Sequence, residues 1–383
     1  MPSVASYGVI LAVAAIVTLV TTPVAQHFAE RWGLVADPDE RMAHAEPTAR
    51  LGGAAMVLGV LVALLTASLM DDFNLIFASG TELLGVALAA VWIFGVGVLD
   101  DVREISAPAK IAGMVVAASI LSLAGVSLLF FRVPFLELVT LSSDWSALLT
   151  VLWVVGMANA INLIDGLDGL AAGIVAIASG TFFLYSLRLG DAEVILPGNP
   201  GALIAIITVG VVIGFLPHNV HPAKIFMGDG GALLLGLLMA ASTMSVGGRT
   251  SAEFSGQAFF FFAPVFIPLV ILAVPIVDVV FAILRRAVGG QSVAEADLGH
   301  LHHRLVRLGH GHRRSVIIMW LWTALLSGFV LYPTYTGKGD AAVPLGIGAL
   351  GLLLFTVFHP SGRTRKAVQR EVEMVEGEAP ETA

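Results

Sequence analysis

Residues 82–101 read ELLGVALAAVWIFGVGVLDD, an apolar run with one charge, Glu82, before it closes on the paired aspartates Asp100 and Asp101. Its length and composition suit a transmembrane helix. Carboxylates at the end of such a helix are costly to bury and are therefore candidates for a functional site. The pattern recurs outward from this stretch. Asp165 and Asp168 interrupt NAINLIDGLDGLAAG (159–173), Asp229 ends KIFMGD (224–229), and DLGHLHHRL (297–305) follows another long apolar run.

The chain as a whole has the same character. Its 383 residues are 57% hydrophobic and 13% charged, with mean hydropathy +0.91. These values exclude an ordinary soluble domain and point to an all-α, polytopic membrane protein. The absence of cysteine rules out disulfides, thiolate metal sites and a cysteine nucleophile. About eleven spans are expected, near 4–26, 51–70, 82–99, 110–131, 146–163, 169–187, 201–216, 230–246, 258–284, 315–333 and 342–358. The first lacks a basic leader segment and is long enough to cross, so no cleaved signal peptide is expected.

The distribution of basic residues orients these spans. Sixteen of the 20 Lys and Arg residues fall in the odd-numbered connections and the C-terminal tail, whereas Arg132, Arg188, Arg249 and Lys338 fall on the other side. The N-terminus is therefore expected outside and the C-terminus in the cytoplasm, with every motif quoted above on the cytoplasmic face. Residues 1–360 read as one transmembrane catalytic domain, and 361–383 as a polar tail expected to be disordered.

Each motif has a chemical and a structural reading. Asp100 and Asp101 suit a hard cation such as Mg²⁺ bridging phosphate oxygens, or they close an ordinary solvated helix end. Asn159, Asn162, Asp165 and Asp168 recur every third residue, so on one continuous helix they sweep roughly half the circumference. They share a face only if the segment breaks, for which Gly166 and Gly169 are suited; otherwise the asparagines serve helix–helix contacts. In GFLPHNVHPAKIFMGDGGALLLG (214–236), Asp229 opens a helix among glycines, as a metal ligand beside bound phosphate or as a simple N-cap. Lys224 offers a positive charge there and Phe226 a ring to stack on a base. His300, His302, His303 and Arg304 suit oxyanion binding better than zinc, because the spacing lacks a cysteine or carboxylate partner. In ADPDERMAHAEPTARLGG (36–53), His44 and Arg50 are candidate substrate contacts. The span 258–284, with Pro264, Pro268 and Pro275, is expected to bend, either as a groove for a long lipid tail or as a merely kinked helix.

Taken in order, DPDERMAH…PTARLGG, GVLDD, NAINLIDGLDGLAAG, NVHPAKIFMGDGG and HLHHRL over about residues 37–310 resemble the polyprenyl-phosphate N-acetylhexosamine-1-phosphate transferases. This is glycosyltransferase family 4, and HLHHR is similar to its WecA/TagO-like branch more than to the related MraY branch. The chain departs from the family pattern at Ala49, where Pro is frequent, at Ala232, where Ser is frequent, and at Glu104, where the family has Asp. None of these removes a charge.

The resemblance implies transfer of N-acetylglucosamine 1-phosphate from UDP-N-acetylglucosamine to polyprenyl phosphate, releasing UMP. It implies Mg²⁺ on Asp229 with Asp100, Mn²⁺ as a substitute, and Asp100 orienting or deprotonating the lipid phosphate beside Asp101. It places Asn162, Asp165, Asp168, Asn219 and Phe226 at the uridine end, and His300, His302, His303 and Arg304 at the sugar diphosphate. A homodimer in the bacterial cell membrane is expected, and no nucleic-acid partner. Direct attack is preferred to a phospho-aspartate route, since positioning and electrostatics carry most phosphoryl transfer. The rival readings are an MraY-type transferase and a transporter or flippase, whose charges belong near the midplane and in repeated halves.

Overall fold

The computed structural model describes residues 2–36, 47–128, 130–132, 138–247, 305, 310–336 and 342–358. Ten of the expected spans, all but 258–284, coincide with helices α1 (Val4–Trp32), α2 (Gly52–Ser68), α4 (Glu82–Arg103), α5 (Ala107–Leu123), α6 (Ser143–Ile164), α7 (Leu170–Asp191), α8 (Gly201–Asn219), α9 (Gly228–Gly247), α10 (Gly311–Thr336) and α11 (Ala342–Phe358), with the short α3 (Asn74–Ala78) after α2. The expected span 258–284, His44, His300, His302, His303, Arg304 and the tail 361–383 lie outside the described residues.

Among the described residues, seven helices are long and apolar enough to cross a membrane, or eight if α2 and the segment Asp71–Ala78, bent by 93°, form one broken span. The protein is a multi-pass membrane protein. The fourth expected span is shorter than the sequence suggested. Its helix stops at Leu123, Gly125 turns the chain at φ +96°, and a hairpin of β3 (Phe130–Arg132) with β4 (Leu138–Thr140) follows. At 17 residues, α5 rises only about 25 Å.

Helix α9 is the hub. It packs against α2, α4, α6, α7 and α8, and is buried along nearly its whole length. Helices α1 and α4, by contrast, keep large apolar side chains such as Ile16, Val20, Leu88 and Trp92 on their outer surfaces, as lipid-facing helices do. The approach to α9 is close because the contact residues have no side chain. A Cβ on Gly53 of α2 would come within 2.4 Å of the Gly231 nitrogen, and one on Gly97 of α4 within 2.4 Å of the Gly230 nitrogen.

A small sheet ties the loops at this end together. β1 (Val35–Ala36) pairs antiparallel with β2 (Thr48–Arg50), and β2 pairs parallel with β5 (Ile225–Phe226), Arg50 opposite Phe226. The far end of α2 meets the start of α1, where Asp72 accepts the Ser3 amide at 3.3 Å and the Ser6 hydroxyl. The beginning of the described chain and the acidic residues therefore lie at opposite ends of the bundle.

Gly97→Ala is expected to lower the thermal midpoint in detergent by an overpacking cost of about 1–3 kcal/mol. Gly95→Ala on the same helix, where nothing lies within 4 Å of the added carbon, should leave it unchanged.

Candidate active site

The C-terminal ends of α4 and α6, the first turn of α5 and the N-terminal end of α9 converge. Adjacent helical residues point about 100° apart, so Asp100 and Asp101 take different partners. Asp101 faces α9, where its Oδ1 accepts the Asp229 amide at 3.1 Å and its Oδ2 the Gly230 amide at 3.3 Å. These amides open a helix and have no partner within it, so Asp101 caps α9 from a neighbouring helix. Asp100 faces α5 and forms an ion pair with Lys110 Nζ at 2.8 Å.

Lys110 links the cluster. It also pairs with Asp229 and donates to Asn162 Oδ1 at 3.3 Å, while Asn162 Nδ2 donates to Asp229 Oδ1 at 2.9 Å. Asp229 is thus held from α5 and α6, with its helix clasped by α2 and α4. Carboxylates this close would repel one another without a cation between them. Asp100, Asp229 and the Asn162 carbonyl form an all-oxygen donor set already engaged with one cation, the ammonium of Lys110. That chemistry fits Mg²⁺, a hard ion with oxygen ligands.

The break expected in the Asn/Asp strip is present. Helix α6 ends at Ile164, Asp165 is its C-cap, and Gly169 at φ +74° opens α7. Asn162, Asp165 and Asp168 thereby line one pocket with Arg50, Asp101, Asn219, Phe226, Asp229 and His312. Asn219 accepts the Gly169 amide and donates to the Ile225 carbonyl, each at 3.0 Å, so one buried side chain joins the α6–α7 turn to the loop before α9. Burial, followed by the negative charges of Asp229, Asp101 and Asp168, pushes the Asp165 carboxyl up to about 8, against the opposing charge of Arg50.

At the other edge of the break, Asp168 Oδ2 accepts from His221 Nδ1 at 2.7 Å and from the Ala223 amide at 3.1 Å. The Asp168 amide donates to His312 Nε2 at 2.9 Å. Asp168, His221 and His312 form a second group with metal-ligating atoms, all within 4.8 Å of one another.

Two expected site residues are placed elsewhere. Asn159 donates to the Val155 carbonyl of its own helix and to Met114 Sδ of α5, a helix–helix role. Lys224 is exposed and outside the pocket lining. Three residues of the site carry no local sequence signal of their role. Lys110 bears only on topology, His221 sits within NVHPAKIFMGDGG without a distinguishing pattern, and His312 lies seven residues beyond Leu305 of the His-rich stretch.

Asp165 gives the site a pH signature. Its folded-state pKa lies above its unfolded value, so the folded protein holds this proton where the unfolded chain releases it. The resulting stability is fully present below the carboxylate range and is lost as pH rises through about 8. In detergent without divalent cations, Asp165→Asn should therefore melt increasingly above wild type from pH 5 to pH 8, with a constant difference beyond. Equal midpoints across that range would contradict a neutral carboxyl at Asp165.

The glycosyl transferase family 4 model matches residues 83–247, the segment from α4 through α9 that carries the acidic cluster. The chain is 39% identical over 341 residues to the decaprenyl-phosphate N-acetylglucosaminephosphotransferase of Mycobacterium tuberculosis (strain ATCC 25618 / H37Rv), a match covering 87% of this chain and 84% of that protein. It is 33% identical over 347 residues to the probable undecaprenyl-phosphate N-acetylglucosaminyl 1-phosphate transferase of Bacillus subtilis (strain 168), covering 90% and 87%. Against the phospho-N-acetylmuramoyl-pentapeptide-transferase of Mycobacterium leprae (strain TN), identity is 33% over 318 residues, covering 73% and 82%. On likeness over most of its length to enzymes of this kind, the chain belongs to glycosyl transferase family 4.

Proposed function

We propose that this protein transfers N-acetylglucosamine 1-phosphate from UDP-N-acetylglucosamine to polyprenyl phosphate, forming polyprenyl-diphosphate-N-acetylglucosamine and UMP. The observation that carries the reading is the convergence of Asp100, Asp229, Asn162 and Lys110 beside a pocket bearing Arg50 and Phe226. One cation-binding acidic cluster next to one polar pocket is what joining an anionic lipid to a nucleotide sugar requires. The fuller match to the N-acetylglucosamine transferases supports that donor over the muramoyl-pentapeptide nucleotide.

The site end also carries Arg50, Arg103, Lys110 and Arg313, whereas Arg188 lies at the opposite end of α7. This favours a cytoplasmic active site in the bacterial cell membrane, with the N-terminus outside. Eleven spans and a cytoplasmic C-terminus complete the proposal on run length and the distribution of basic residues, His44 on its place in the 36–53 loop, and a homodimer and donor contacts by His300, His302, His303 and Arg304 on the strength of the resemblance.

Both reactants are anions, so repulsion is the first barrier. An oxygen of the lipid phosphate attacks the β-phosphorus of the donor; that P–O bond forms as the anhydride bond to the bridging oxygen breaks, and UMP leaves with the electron pair. A phosphate monoester is largely ionised near neutral pH, so the attacking group needs positioning more than deprotonation. Lys110, paired with Asp100, would shield the incoming phosphate, and Arg50 at the pocket wall would meet the nucleotide's charge. Asp101 keeps the start of α9, and hence Asp229, in register. Held by Asp229 and Asp100, Mg²⁺ would supply charge neutralisation of the diphosphate and of the departing UMP.

Purified protein should release UMP only when UDP-N-acetylglucosamine, polyprenyl phosphate and Mg²⁺ are all present; turnover with the muramoyl-peptide nucleotide instead would move the assignment to the other branch. Asp229→Asn should cut release by about 10³-fold with thermal unfolding intact, and near-normal turnover would sink the metal assignment. Lys110→Met should split two readouts, lowering kcat by about 100-fold while tightening Mg²⁺ binding, because the competing ammonium is gone.

A further inference from the structure

His221 and His312 have no part in the chemistry above, yet both bond to Asp168 from elements distant in sequence. The two rings stack with centroids 4.4 Å apart and planes 26° apart. His221 donates through Nδ1 to Asp168 Oδ2 at 2.7 Å, while the Asp168 amide donates to His312 Nε2 at 2.9 Å. The second bond needs a lone pair on Nε2 and therefore assigns the Nδ1–H tautomer to His312. One histidine grips the side chain of Asp168 and the other its backbone, and both Asp168 and His312 line the pocket.

A metal ion is the competing account, and the geometry disfavours it. Ligand–metal bonds of about 2.0 Å at tetrahedral angles hold donor atoms roughly 3.3 Å apart. His221 and Asp168 stand at hydrogen-bond distance instead, Asp168 Oδ2 also accepts the Ala223 amide, and the His312 lone pair takes an amide proton.

The anchor beyond the stack is equally definite. The Arg313 guanidinium donates to the His221 carbonyl at 3.2 Å, and Trp320 Nε1 donates to the Leu170 carbonyl at 3.3 Å. Helix α10 is thus fastened both to the loop before α9 and to the start of α7, and His312 in its first turn reaches the break between α6 and α7.

We propose that His221 and His312 are positioning residues for the donor: together they hold Asp168 at the nucleoside end of the pocket and make donor affinity depend on the docking of α10. This rests on the functional reading above and on the resemblance, which implies that Asp168 faces the uridine end.

The test is steady-state kinetics of UMP release by full-length protein in detergent, with thermal unfolding in parallel. His312→Ala should raise KM for UDP-N-acetylglucosamine, and Ki for UMP as a competing product, by about tenfold, the effect of one lost hydrogen bond. The kcat and the KM for polyprenyl phosphate should stay within about twofold. His312→Gln, whose amide oxygen can accept the Asp168 N–H, should recover most of the loss, and His221→Ala should shift the same two constants. A uniform fall in kcat with both KM values, or equal defects in the Ala and Gln variants, would reduce the stack to scaffolding and overturn the proposal. So would Zn²⁺ inhibition at micromolar concentration that His312→Gln abolishes, which would make the cluster a metal site. If wild type turns over normally and the variants match it, only the histidine role fails; a folded wild type inert toward the donor overturns the functional reading and this role together.

Discussion

Everything at the active end depends on how closely α9 is approached by its neighbours. Carboxylates from three helices converge there, and their mutual repulsion is tolerable only where opposing charge, hydrogen-bond donors or a retained proton relieves it. The glycines at 53 and 97 bring the backbones of α2 and α4 against the first turn of α9. That contact puts the Asp101 carboxylate within hydrogen-bond range of two otherwise unpaired amides and leaves Asp229 pointing toward Lys110 and Asn162. Larger residues at those two positions would separate the carboxylates from the groups that compensate them.

The adjacent aspartates show how a helix divides labour between neighbours. The angular step between consecutive residues sends Asp100 to the Lys110 ammonium and Asp101 to the α9 amides. A pair that reads in sequence as one doubly charged feature is, in space, a ligand candidate and a structural cap. The broken strip behaves likewise. Asn162, Asp165 and Asp168 share the pocket because the helix stops at Ile164, while Asn159, one turn earlier on the intact helix, faces α5.

The loops contribute by pairing rather than by length. β2 and β5 are only three and two residues long, but their parallel register sets Arg50 opposite Phe226 across more than 170 residues of chain. Asn219 joins β5 in turn to the break between α6 and α7 through its amide. Such short strands are stable in this setting because the helices beneath them are already packed.

The sequence by itself determined the membrane class, the placement of most helices, the acidic end of the bundle and the family. Those follow from run length, charge at the ends of apolar segments and motif order, all of which are local or one-dimensional. It also pointed to the helix break, because Gly166 and Gly169 lie within it. Only the tertiary structure decided which polar residues meet. Lys110 joins Asp229 across 119 positions, and His312 joins Asp168 across 144. No periodicity links such pairs, since they are set by which helices are neighbours. Asn159 and Lys224 have suitable chemistry and lie in the right motifs yet fall outside the pocket lining, Asn159 because its helix packs on α5. Composition reports that charge must be compensated in a membrane; helix packing decides which groups compensate it.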